Sequence, residues 1–512
     1  MTTLPPFRTI ADLIHDHAAA RPRSPALSDG AVELDYGALD ALMDRTAAAL
    51  VRDGLRAGGA VALCGTPSVR QAVAFLGALR AGAVVAPLAP SVTGEQFAMM
   101  LGDCGAAICF VDGAASDLLP AAPPWHCVAL DGVAAGRPFE RWLAAPGARP
   151  PSVPVRPEDP FNIIYSSGTT GAPKGIVQPH GMRWAHVMRA SRYGYGPDSV
   201  VLLATPLYSN TTLVAFLPAL ASGGHVHLMA RFDAPAYLGL AQRLRATHTM
   251  LVPVQYRRIM ALPQFGDFDL SSFRTKLCTS APFDAALKAD VLARWPGGLV
   301  EVYGLTEGGG TCILDAHLHA DKLHTVGRPA PGHDFRLIDE QGRELPAGPG
   351  VVGEIVGHSP GMMSGYHGQP EKTREAEWFD AAGKRFIRTG DVGRFDDDGF
   401  LVLMDRRKDM IISGGFNIYP SDLETVLRRH PAVDDVAVVG VPSERWGETP
   451  VAYVVPRAAP AVDEPALLAW CNARVGKTQR LHALRLVDAL PRSAIGKVLK
   501  RDLRERFVAA PA

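Results

Sequence analysis

The first part of the chain alternates between helical and strand-like spacings of its apolar residues. Residues 36–54 (YGALDALMDRTAAALVRDG) have the helical spacing, and Gly54 supplies a stop signal at their end. The apolar positions on one face of this predicted helix are Leu39, Leu42, Met43, Ala47 and Leu50. The short apolar runs 61–64 and 83–88 predict buried strands on either side of a helix over 69–81. Strand, helix and strand in succession indicate a βαβ unit, so the pattern predicts an α/β fold.

The pattern changes towards the C-terminus, where the predicted elements are shorter and more charged. Residues 400–424 predict two short strands separated by a charged segment, followed by a Gly-Gly turn and a helix. Ser421 and Glu424 have the spacing of a capping box at the start of that helix. The charged segment Asp405 to Asp409 predicts a domain junction, and the stretch after it is long enough for a small α+β domain.

Composition narrows the class of protein. A chain of 512 residues exceeds what one hydrophobic core usually supports, so we expect at least two domains. With 47% hydrophobic and 20% charged residues, the chain is predicted to be globular. Lysine plus arginine equals aspartate plus glutamate at 52 each, which argues against a broad nucleic-acid or anionic-membrane surface. Small molecules are therefore the expected partners.

The sequence predicts neither export nor a membrane span. Asp12 and Asp16 lie among the N-terminal apolar residues, and apolar stretches such as 73–90 are interrupted by arginine, glycine and proline. The seven cysteines include no C-x-x-C pair, which indicates neither a disulfide framework nor a zinc site. We therefore expect a soluble, cytoplasmic protein with reduced cysteines.

The loop YSSGTTGAPKG, residues 165–175, has the composition of a phosphate-binding loop. Hydroxyl groups, glycine amides and one lysine together suit a polyphosphate. The nucleotide motif G-x-x-x-x-G-K-[ST] does not fit, because Pro173 stands five residues after Gly168. An ordinary surface turn is the alternative. The candidate phosphate contacts are Ser166, Ser167, Gly168, Thr169, Thr170, Gly171 and Lys174.

Four further motifs follow this loop in an order that resembles one enzyme superfamily. They are EVYGLTEGGG (301–310), GVVGEIVGHSPGMMSGY (350–366), RTGDVGRFDDDGFLVLMDRRKDMIISGGFNIYPSDLE (388–424) and PRSAIGKVLKRDLRE (491–505). With the loop, they resemble the motifs of the adenylate-forming enzymes, which include acyl-CoA synthetases, the adenylation domains of peptide synthetases and luciferases. The resemblance covers nearly the whole chain and is strongest to acyl-CoA and aryl-CoA synthetases.

The resemblance implies a domain organisation. A large N-terminal AMP-binding α/β domain is expected at 1–404, with the active site on its surface. A hinge is expected at 405–408, with Lys408 as the residue whose backbone dihedrals change. A small mobile α+β domain is expected at 409–512. A homodimer is a further expectation.

The resemblance also implies a reaction that uses ATP, Mg²⁺ and CoA. A carboxylate attacks the α-phosphate of ATP, pyrophosphate leaves, and the acyl group then passes from AMP to the thiol of CoA. A stand-alone enzyme that loads a carrier-protein phosphopantetheine is the main alternative. A non-catalytic nucleotide-binding regulator would be expected to lose Lys497 or Glu307, and the chain keeps both.

Roles for individual residues follow from the motifs they match. By resemblance, Tyr303 packs on adenine, Thr306 contacts the α-phosphate, and Glu307 binds Mg²⁺. Lys174 is expected at the β- and γ-phosphates. Further implied nucleotide contacts are Ser280, Ala281, Pro282 and Gly304.

Further implied residues lie in or near the later motifs. Asp391 is expected to bind the ribose hydroxyls with help from Arg406, although Asp405 stands where the family generally has glycine. Lys497 resembles the mobile lysine that reaches the carboxylate and the α-phosphate during adenylation. The implied contacts for CoA are Gly414, Gly415, Phe416, Lys477 and Arg480.

The acyl pocket is expected to contain Tyr208, Asn210, Thr211, Gly308, Gly309 and Gly310, with apolar walls from Leu213, Val214, Phe216 and Ile313. Residues 205–216 contain no acidic side chain to bind a substrate ammonium, so an uncharged acid is favoured. The three glycines leave room for an acyl group, but they could instead be required only by a tight turn. A medium-chain fatty acid and an aromatic acid both remain candidates.

Overall fold

The computed structural model describes residues 5–120, 125–166, 174–346, 348–406, 409–413, 416–443, 446–459, 461–493 and 496–509. The chain divides into two compact units: a larger one of Met1–Asp334 with Gly357–Ile387, and a smaller one of Phe335–Val356 with Arg388–Ala512. The smaller unit thus groups residues 335–356 and 388–404 with the predicted C-terminal domain. The hinge at 405–408 stays a prediction.

The first sheet of the larger unit is built around parallel strands. Its nine described strands lie in the order Arg328–Pro329, Thr311–Asp315, Gly298–Gly304, Thr275–Cys278, His248–Leu251, Val200–Leu203, His225–Leu228, Pro25–Ser28 and Glu33–Asp35. The strands between Gly298–Gly304 and Pro25–Ser28 all pair in parallel. Parallel neighbours need crossover connections, which explains the alternation of strand and helix patterns.

The second sheet contains the strands predicted at 61–64 and 83–88. Its eight described strands lie in the order Gly365–Tyr366, Lys174–Pro179, Pro160–Ser166, Val84–Leu88, Ala60–Cys64, Ile108–Val111, His126–Ala129 and Arg137–Pro138. Val61 and Leu63 pack into the main core, whereas Ala62 and Cys64 pack into a second core on the opposite face. Both faces are therefore buried, which is why these strands are continuous apolar runs.

Helices fill the space between and outside the two sheets. The described helices of the larger unit are Ile10–Ala20, Tyr36–Arg52, Val69–Arg80, Gly94–Cys104, Phe139–Trp142, His180–Met188, Asn210–Ala221, Ala234–Leu244, Pro253–Met260, Ala285–Arg294 and Pro370–Glu375. The helices predicted over 36–54 and 69–81 are confirmed. The main core combines residues of both sheets with Tyr36–Arg52, Val69–Arg80 and Asn210–Ala221. No described helix is long and apolar enough to cross a membrane.

The division between the units passes through three strands, Asp334–Ile338, Gly353–His358 and Arg385–Phe395. In the larger unit, Glu377–Phe379 pairs antiparallel with residues 385–387. In the smaller unit, Leu401–Arg406 pairs antiparallel with residues 391–395.

The rest of the smaller unit is an α+β arrangement. Its strands lie in the order Phe416–Ile418, Ile411–Ser413, Gly447–Pro456 and Val433–Ser443, with Ala483–Leu486 paired to Gly447–Pro456. The described helices are Pro420–Arg428, Glu464–Asn472 and Lys500–Ala509. Apolar residues of these strands and helices form two cores of their own, as expected of an independent domain.

The predicted capping box is wrong. The helix begins at Pro420 with Tyr419 as N-cap, so Ser421 lies inside the first turn and is not the N-cap residue. Proline is well suited to the first helical position because its φ is already helical, and it starts the helix before Ser421. Ser421 Oγ instead donates to the carbonyl of Met404. Glu424 accepts from the backbone N–H of Val438 at 2.9 Å.

Candidate active site

The candidate site of the larger unit lies at the carboxyl edge of the first sheet. Val200–Leu203, Thr275–Cys278 and Gly298–Gly304 belong to its parallel region, so the segments that follow them emerge at the same edge. These segments are residues 205–211, with the predicted acyl-pocket side chains, and 279–283 and 305–310, with predicted nucleotide contacts. Ligands of open α/β sheets bind at such edges.

Two of these segments make direct contact. The hydroxyls of Thr211 and Ser280 form a short hydrogen bond. Thr279 Oγ1 donates to the carbonyl of Val302 at 2.6 Å, which ties the second segment to the strand before Thr306. Ser280 has a φ of +85°, a left-handed conformation that is unusual for a residue with a side chain. Such backbone strain is concentrated at functional sites, which supports a role for this turn.

Glu307 and Lys174 are brought together by Tyr366, a residue that the sequence analysis did not single out. The Tyr366 hydroxyl donates to Glu307 Oε1 at 3.0 Å. Lys174 Nζ lies 5.3 Å from the centre of the Tyr366 ring, within the range of a cation–π interaction. Burial, followed by the nearby Glu307, raises the pKa of Tyr366 well above its ordinary value, so the hydroxyl stays protonated and donates. Tyr366 therefore links the predicted phosphate-binding lysine to the predicted magnesium ligand.

The glycines after Glu307 are closely packed by backbone and side chains. Gly308 and Gly310 have φ values of +76° and +94°. A Cβ at Gly308 would lie 2.3 Å from the carbonyl oxygen of Gly361, and one at Gly309 would lie 2.6 Å from Ile387 Cβ. These glycines therefore have a packing role of their own, which is the alternative considered for them above. Their contribution to acyl-group volume stays a prediction.

The predicted apolar walls are part of the protein interior. Leu213, Phe216 and Ile313 are buried in the main core. Val214 is only partly buried against that core, and Tyr208 is half-buried beside the same edge. Leu213, Val214 and Phe216 lie on the helix Asn210–Ala221, where successive side chains point in different directions, so neighbouring residues differ in burial.

A buried polar cluster lies beneath Thr306 and Asn210. Arg183 Nη1 donates to Asn210 Oδ1 at 2.9 Å, and Arg183 Nη2 donates to Asn162 Oδ1 at 2.8 Å and to Gln178 Oε1. Gln178 Nε2 donates to the backbone carbonyl of Thr306 at 2.6 Å and to Asn210 Oδ1 at 3.4 Å. The cluster therefore connects a predicted acyl-pocket residue to a predicted α-phosphate contact.

In the smaller unit, the strand register places Asp391 opposite Arg406. Asp391 is buried, and its backbone N–H donates to Thr389 Oγ1 at 3.0 Å. Asp405 lies in the same strand, opposite Val392, with a bulge just before Gly393. Asp405, the residue that departs from the family pattern, thus occupies a strand position. The pairing of Asp391 with Arg406 is compatible with the predicted role of both residues in binding the ribose.

The predicted lysine of the adenylation step is hydrogen-bonded to Ser493 in the smaller unit. The backbone N–H of Lys497 donates to Ser493 Oγ at 3.2 Å, and the N–H of Ser493 donates to the Lys497 carbonyl at 2.8 Å. The Lys497 side chain is exposed. Lys477 and Arg480, the predicted contacts for CoA, are also exposed and lie at a short helical turn.

Several predicted residues lie outside the described residues. These are Ser167, Gly168, Thr169, Thr170 and Gly171 of the phosphate loop, Lys408 of the hinge, and Gly414 and Gly415 of the Gly-Gly turn. For Ser166, Arg406 and Phe416 the backbone is described and the side chain is not. Of the remaining predicted nucleotide contacts, Ala281 and Pro282 lie on the segment 279–283, and Tyr303 and Gly304 lie on the strand Gly298–Gly304 before Thr306.

Comparison with protein-family models decides the family. Residues 14–367 match the AMP-binding enzyme family, and residues 422–497 match the AMP-binding enzyme C-terminal domain. The chain belongs to the AMP-binding enzyme family. The predicted resemblance and the predicted α/β fold, with a large N-terminal and a smaller C-terminal domain, are therefore confirmed.

Relatives of this AMP-binding enzyme match it over nearly its whole length. Feruloyl-CoA synthase of an Amycolatopsis species is 36% identical over 501 residues, which are 96% of this chain and 97% of that protein. A fatty acid–[acyl-carrier-protein] ligase of Streptomyces coeruleorubidus is 32% identical over 98% of this chain and 97% of its own. The crystal structure of ATP-bound MatB from Rhodopseudomonas palustris has a TM-score of 0.86 and 29% identity, covering 98% of this chain and 99% of that one.

Sequence reasoning missed Tyr366 and the Arg183 cluster for different reasons. Tyr366 ends the motif at 350–366, so the motif itself was a usable signal. Arg183, Gln178 and Asn162 lie outside every motif, and an arginine within a helix is ordinarily interpreted as exposed. Only the fold shows that this arginine is 1% exposed.

Proposed function

We propose that this AMP-binding enzyme is an ATP-dependent carboxylic acid:CoA ligase that activates an uncharged aliphatic or aromatic acid. In the first step, a carboxylate oxygen of the acid attacks the α-phosphorus of ATP, giving acyl-AMP and pyrophosphate. In the second step, the thiol of CoA loses its proton and attacks the acyl carbon, giving a thioester and AMP. AMP is a far better leaving group than hydroxide, which is why the acid is activated first.

The observation that carries the proposal is the grouping of Lys174, Tyr366 and Glu307 in the larger unit. A cation and a carboxylate held beside one another suit a nucleotide whose phosphates are bound partly by protein and partly by a metal ion. Thr306 is next to Glu307 in sequence, and its hydroxyl would donate to the α-phosphate. Tyr303, on the preceding strand, would pack on adenine.

Glu307 is the residue that would hold Mg²⁺. The Tyr366 hydroxyl binds one of its oxygens, Oε1, and no described residue donates to the other, Oε2. Carboxylate oxygens are hard ligands of the kind that Mg²⁺ prefers. Bound there, the ion would supply positive charge to the phosphates of ATP.

The smaller unit would supply the remaining groups. Asp391 and Arg406 would bind the ribose, and Lys497 would neutralise charge on the carboxylate and α-phosphate during the first step. For the second step, a backbone change at Lys408 would bring the Gly-Gly turn towards the acyl-adenylate. Lys477 and Arg480 would then be available for the anionic nucleotide part of CoA.

The substrate is proposed from the residues around the sheet edge. The absence of acidic side chains from residues 205–216 disfavours amino acids, because a substrate ammonium would lack a partner. Relatives named for feruloyl, indoleacetate and long-chain fatty acid activation support aromatic or aliphatic acids. The two classes differ in shape more than in polarity, so a panel of acids separates them.

The deciding experiment measures both half-reactions on the same protein. Medium-chain fatty, cinnamic, benzoic and indoleacetic acids are each incubated with ATP and Mg²⁺, and pyrophosphate release is scored. CoA and a phosphopantetheinylated carrier protein are then compared as thiol acceptors. Acid-dependent pyrophosphate release with thioester formation only on CoA is the expected result. Transfer to the carrier protein alone would establish the alternative function, and no acid-dependent release would refute both.

A further inference from the structure

Arg183 is a buried cation whose described partners are all neutral. The residue is 1% exposed, and its guanidinium donates to the side-chain oxygens of Asn162, Gln178 and Asn210. Phe161 lies under it, with the ring centre 5.5 Å from Arg183 Cζ. Burying a charge without an opposite charge is costly, and here burial lowers the pKa of Arg183 to about 9. A feature this costly is expected to serve a purpose other than stability.

One consequence of the cluster is that the amide of Asn210 has a fixed orientation. An arginine side chain has only donors, so the Asn210 atom that faces it must be the oxygen Oδ1. The nitrogen of Gln178 also points at this oxygen, because the oxygen of Gln178 is held by Arg183 and by Asn162 Nδ2 at 3.0 Å. If the Asn210 amide were rotated by half a turn, its nitrogen Nδ2 would face the N–H donors of both Arg183 and Gln178, and neither donor would have an acceptor there.

The orientation leaves the amide nitrogen of Asn210 directed away from the cluster. Among the described residues, none accepts a hydrogen bond from Asn210 Nδ2, and the atom is not buried. Asn210 begins the helix Asn210–Ala221 at the carboxyl edge of the sheet, and one nitrogen of Gln178 contacts both Asn210 Oδ1 and the Thr306 carbonyl. Gln178 thus bridges the residue that carries the free donor and Thr306, the residue expected at the α-phosphate.

We infer that Asn210 Nδ2 is a fixed hydrogen-bond donor for an oxygen of the acid substrate, and that Arg183 and Gln178 are its positioning residues. A guanidinium bonded to the oxygen of the amide polarises it and strengthens the donor at its nitrogen. The oxygen it binds is either that of the reacting carboxylate or that of a polar substituent on the acyl group. The inference rests on the proposed function, because it assigns the ligand of the same site.

The test compares Asn210→Asp with Asn210→Ala. Aspartate has the shape of asparagine and gives Arg183 an opposite charge, but it places an acceptor where the donor was. Alanine removes both groups and leaves room for water. If Asn210 donates to substrate oxygen, kcat/KM falls in the order wild type, Asn210→Ala, Asn210→Asp, with a loss of about 10- to 100-fold for the aspartate.

A merely structural role for Asn210 predicts the opposite ranking. Aspartate would then keep the contact with Arg183, and Asn210→Asp would be at least as active as Asn210→Ala, which overturns the inference. Melting temperatures are recorded for both variants, and Asn210→Asp is expected to melt no lower than wild type. Gln242→Glu is the matched control, since it makes the same amide-to-carboxylate change at an exposed side chain whose oxygen accepts from the backbone N–H of Asp269 and would still do so as a carboxylate. It should leave kcat/KM unchanged.

Two acids identify which oxygen is bound. Cinnamic acid and its 4-hydroxy derivative are compared in every variant. An equal loss for both acids assigns the donor to the reacting carboxylate, and a loss confined to the hydroxylated acid assigns it to the substituent. The affinity of each variant for a non-hydrolysable cinnamoyl-adenylate mimic is measured by calorimetry, which needs no turnover. We expect the affinities to follow the same order as kcat/KM. If wild type binds the mimic but forms no thioester, the proposed function is refuted, and the ranking of the variants by mimic binding still tests the inference. If wild type does not bind the mimic, both the proposed function and the inference are overturned.

Discussion

Gly309→Ala is expected to destabilise this AMP-binding enzyme without changing its preference among acids. The alanine Cβ would lie 2.6 Å from Ile387 Cβ and 3.2 Å from the carbonyl oxygen of Gly357. Both neighbours are fixed by backbone, because a Cβ does not move when a side chain changes rotamer. Ile387 is fully buried, so it cannot move out into solvent.

The magnitude follows from that geometry. Two carbon atoms in contact are normally about 3.5–4.0 Å apart, so either the backbone segment that carries residue 309 or the one that carries Ile387 must shift by about 1 Å. Overpacking of this kind typically costs about 1–3 kcal/mol of unfolding free energy. Gly239→Ala is the matched control: Gly239 lies within the helix Ala234–Leu244, and nothing lies within 4 Å of a Cβ placed there. Alanine is the better helix former by about 1 kcal/mol, so this variant should be as stable as wild type or more so.

The assay combines urea unfolding with kcat/KM for acids of increasing chain length and ring size. We expect Gly309→Ala to have a lower urea midpoint, and any loss of kcat/KM to be similar for every acid. The reasoning is refuted if Gly309→Ala unfolds at the wild-type midpoint while kcat/KM falls steeply for the longer and bulkier acids. That outcome would mean that Gly309 borders the acyl group.

Three further predictions test other parts of the molecule. Tyr366→Phe removes the hydrogen bond to Glu307, so kcat/KM for MgATP should fall about 10-fold or more. The control Tyr195→Phe removes a buried hydroxyl without a described partner and should not change kcat/KM, and equal effects of the two variants would refute the role of Tyr366 in linking Lys174 to Glu307. Lys497→Ala should lower acyl-AMP formation by orders of magnitude and largely spare thioester formation from supplied acyl-AMP, and equal loss in both steps would mean that Lys497 is misplaced. Burial lowers the pKa of His248 from its ordinary 6.5 to about 4, so the unfolded chain binds the extra proton and the unfolding free energy falls as pH drops below about 6.5. Between pH 7 and pH 5, wild type should lose about 2 kcal/mol more than His248→Gln in urea unfolding, and identical pH profiles would contradict this.

The elements that the sequence predicted correctly are those whose signal is local. The helix Tyr36–Arg52 and the strands Ala60–Cys64 and Val84–Leu88 follow from the spacing of apolar residues, which reflects the repeat of the helix or strand itself. The capping box at Ser421 failed because a second local signal, Pro420, competes for the same helix start. Neither local signal by itself predicts which of the two will set the start of the helix.

The sequence by itself determined the family, the order of the motifs and most of the residue types available for chemistry, because motifs are short stretches whose members are neighbours in the chain. Only the tertiary structure decided which groups meet across long separations. Tyr366 reaches Glu307 over 59 residues, and Gln178 reaches the Thr306 carbonyl over 128. The packing of Gly309 against Ile387, and the burial of Arg183 beneath Asn210, likewise depend on how parallel strands and their connecting segments come together at one sheet edge. The spacing of residues within any one element carries no information about that arrangement.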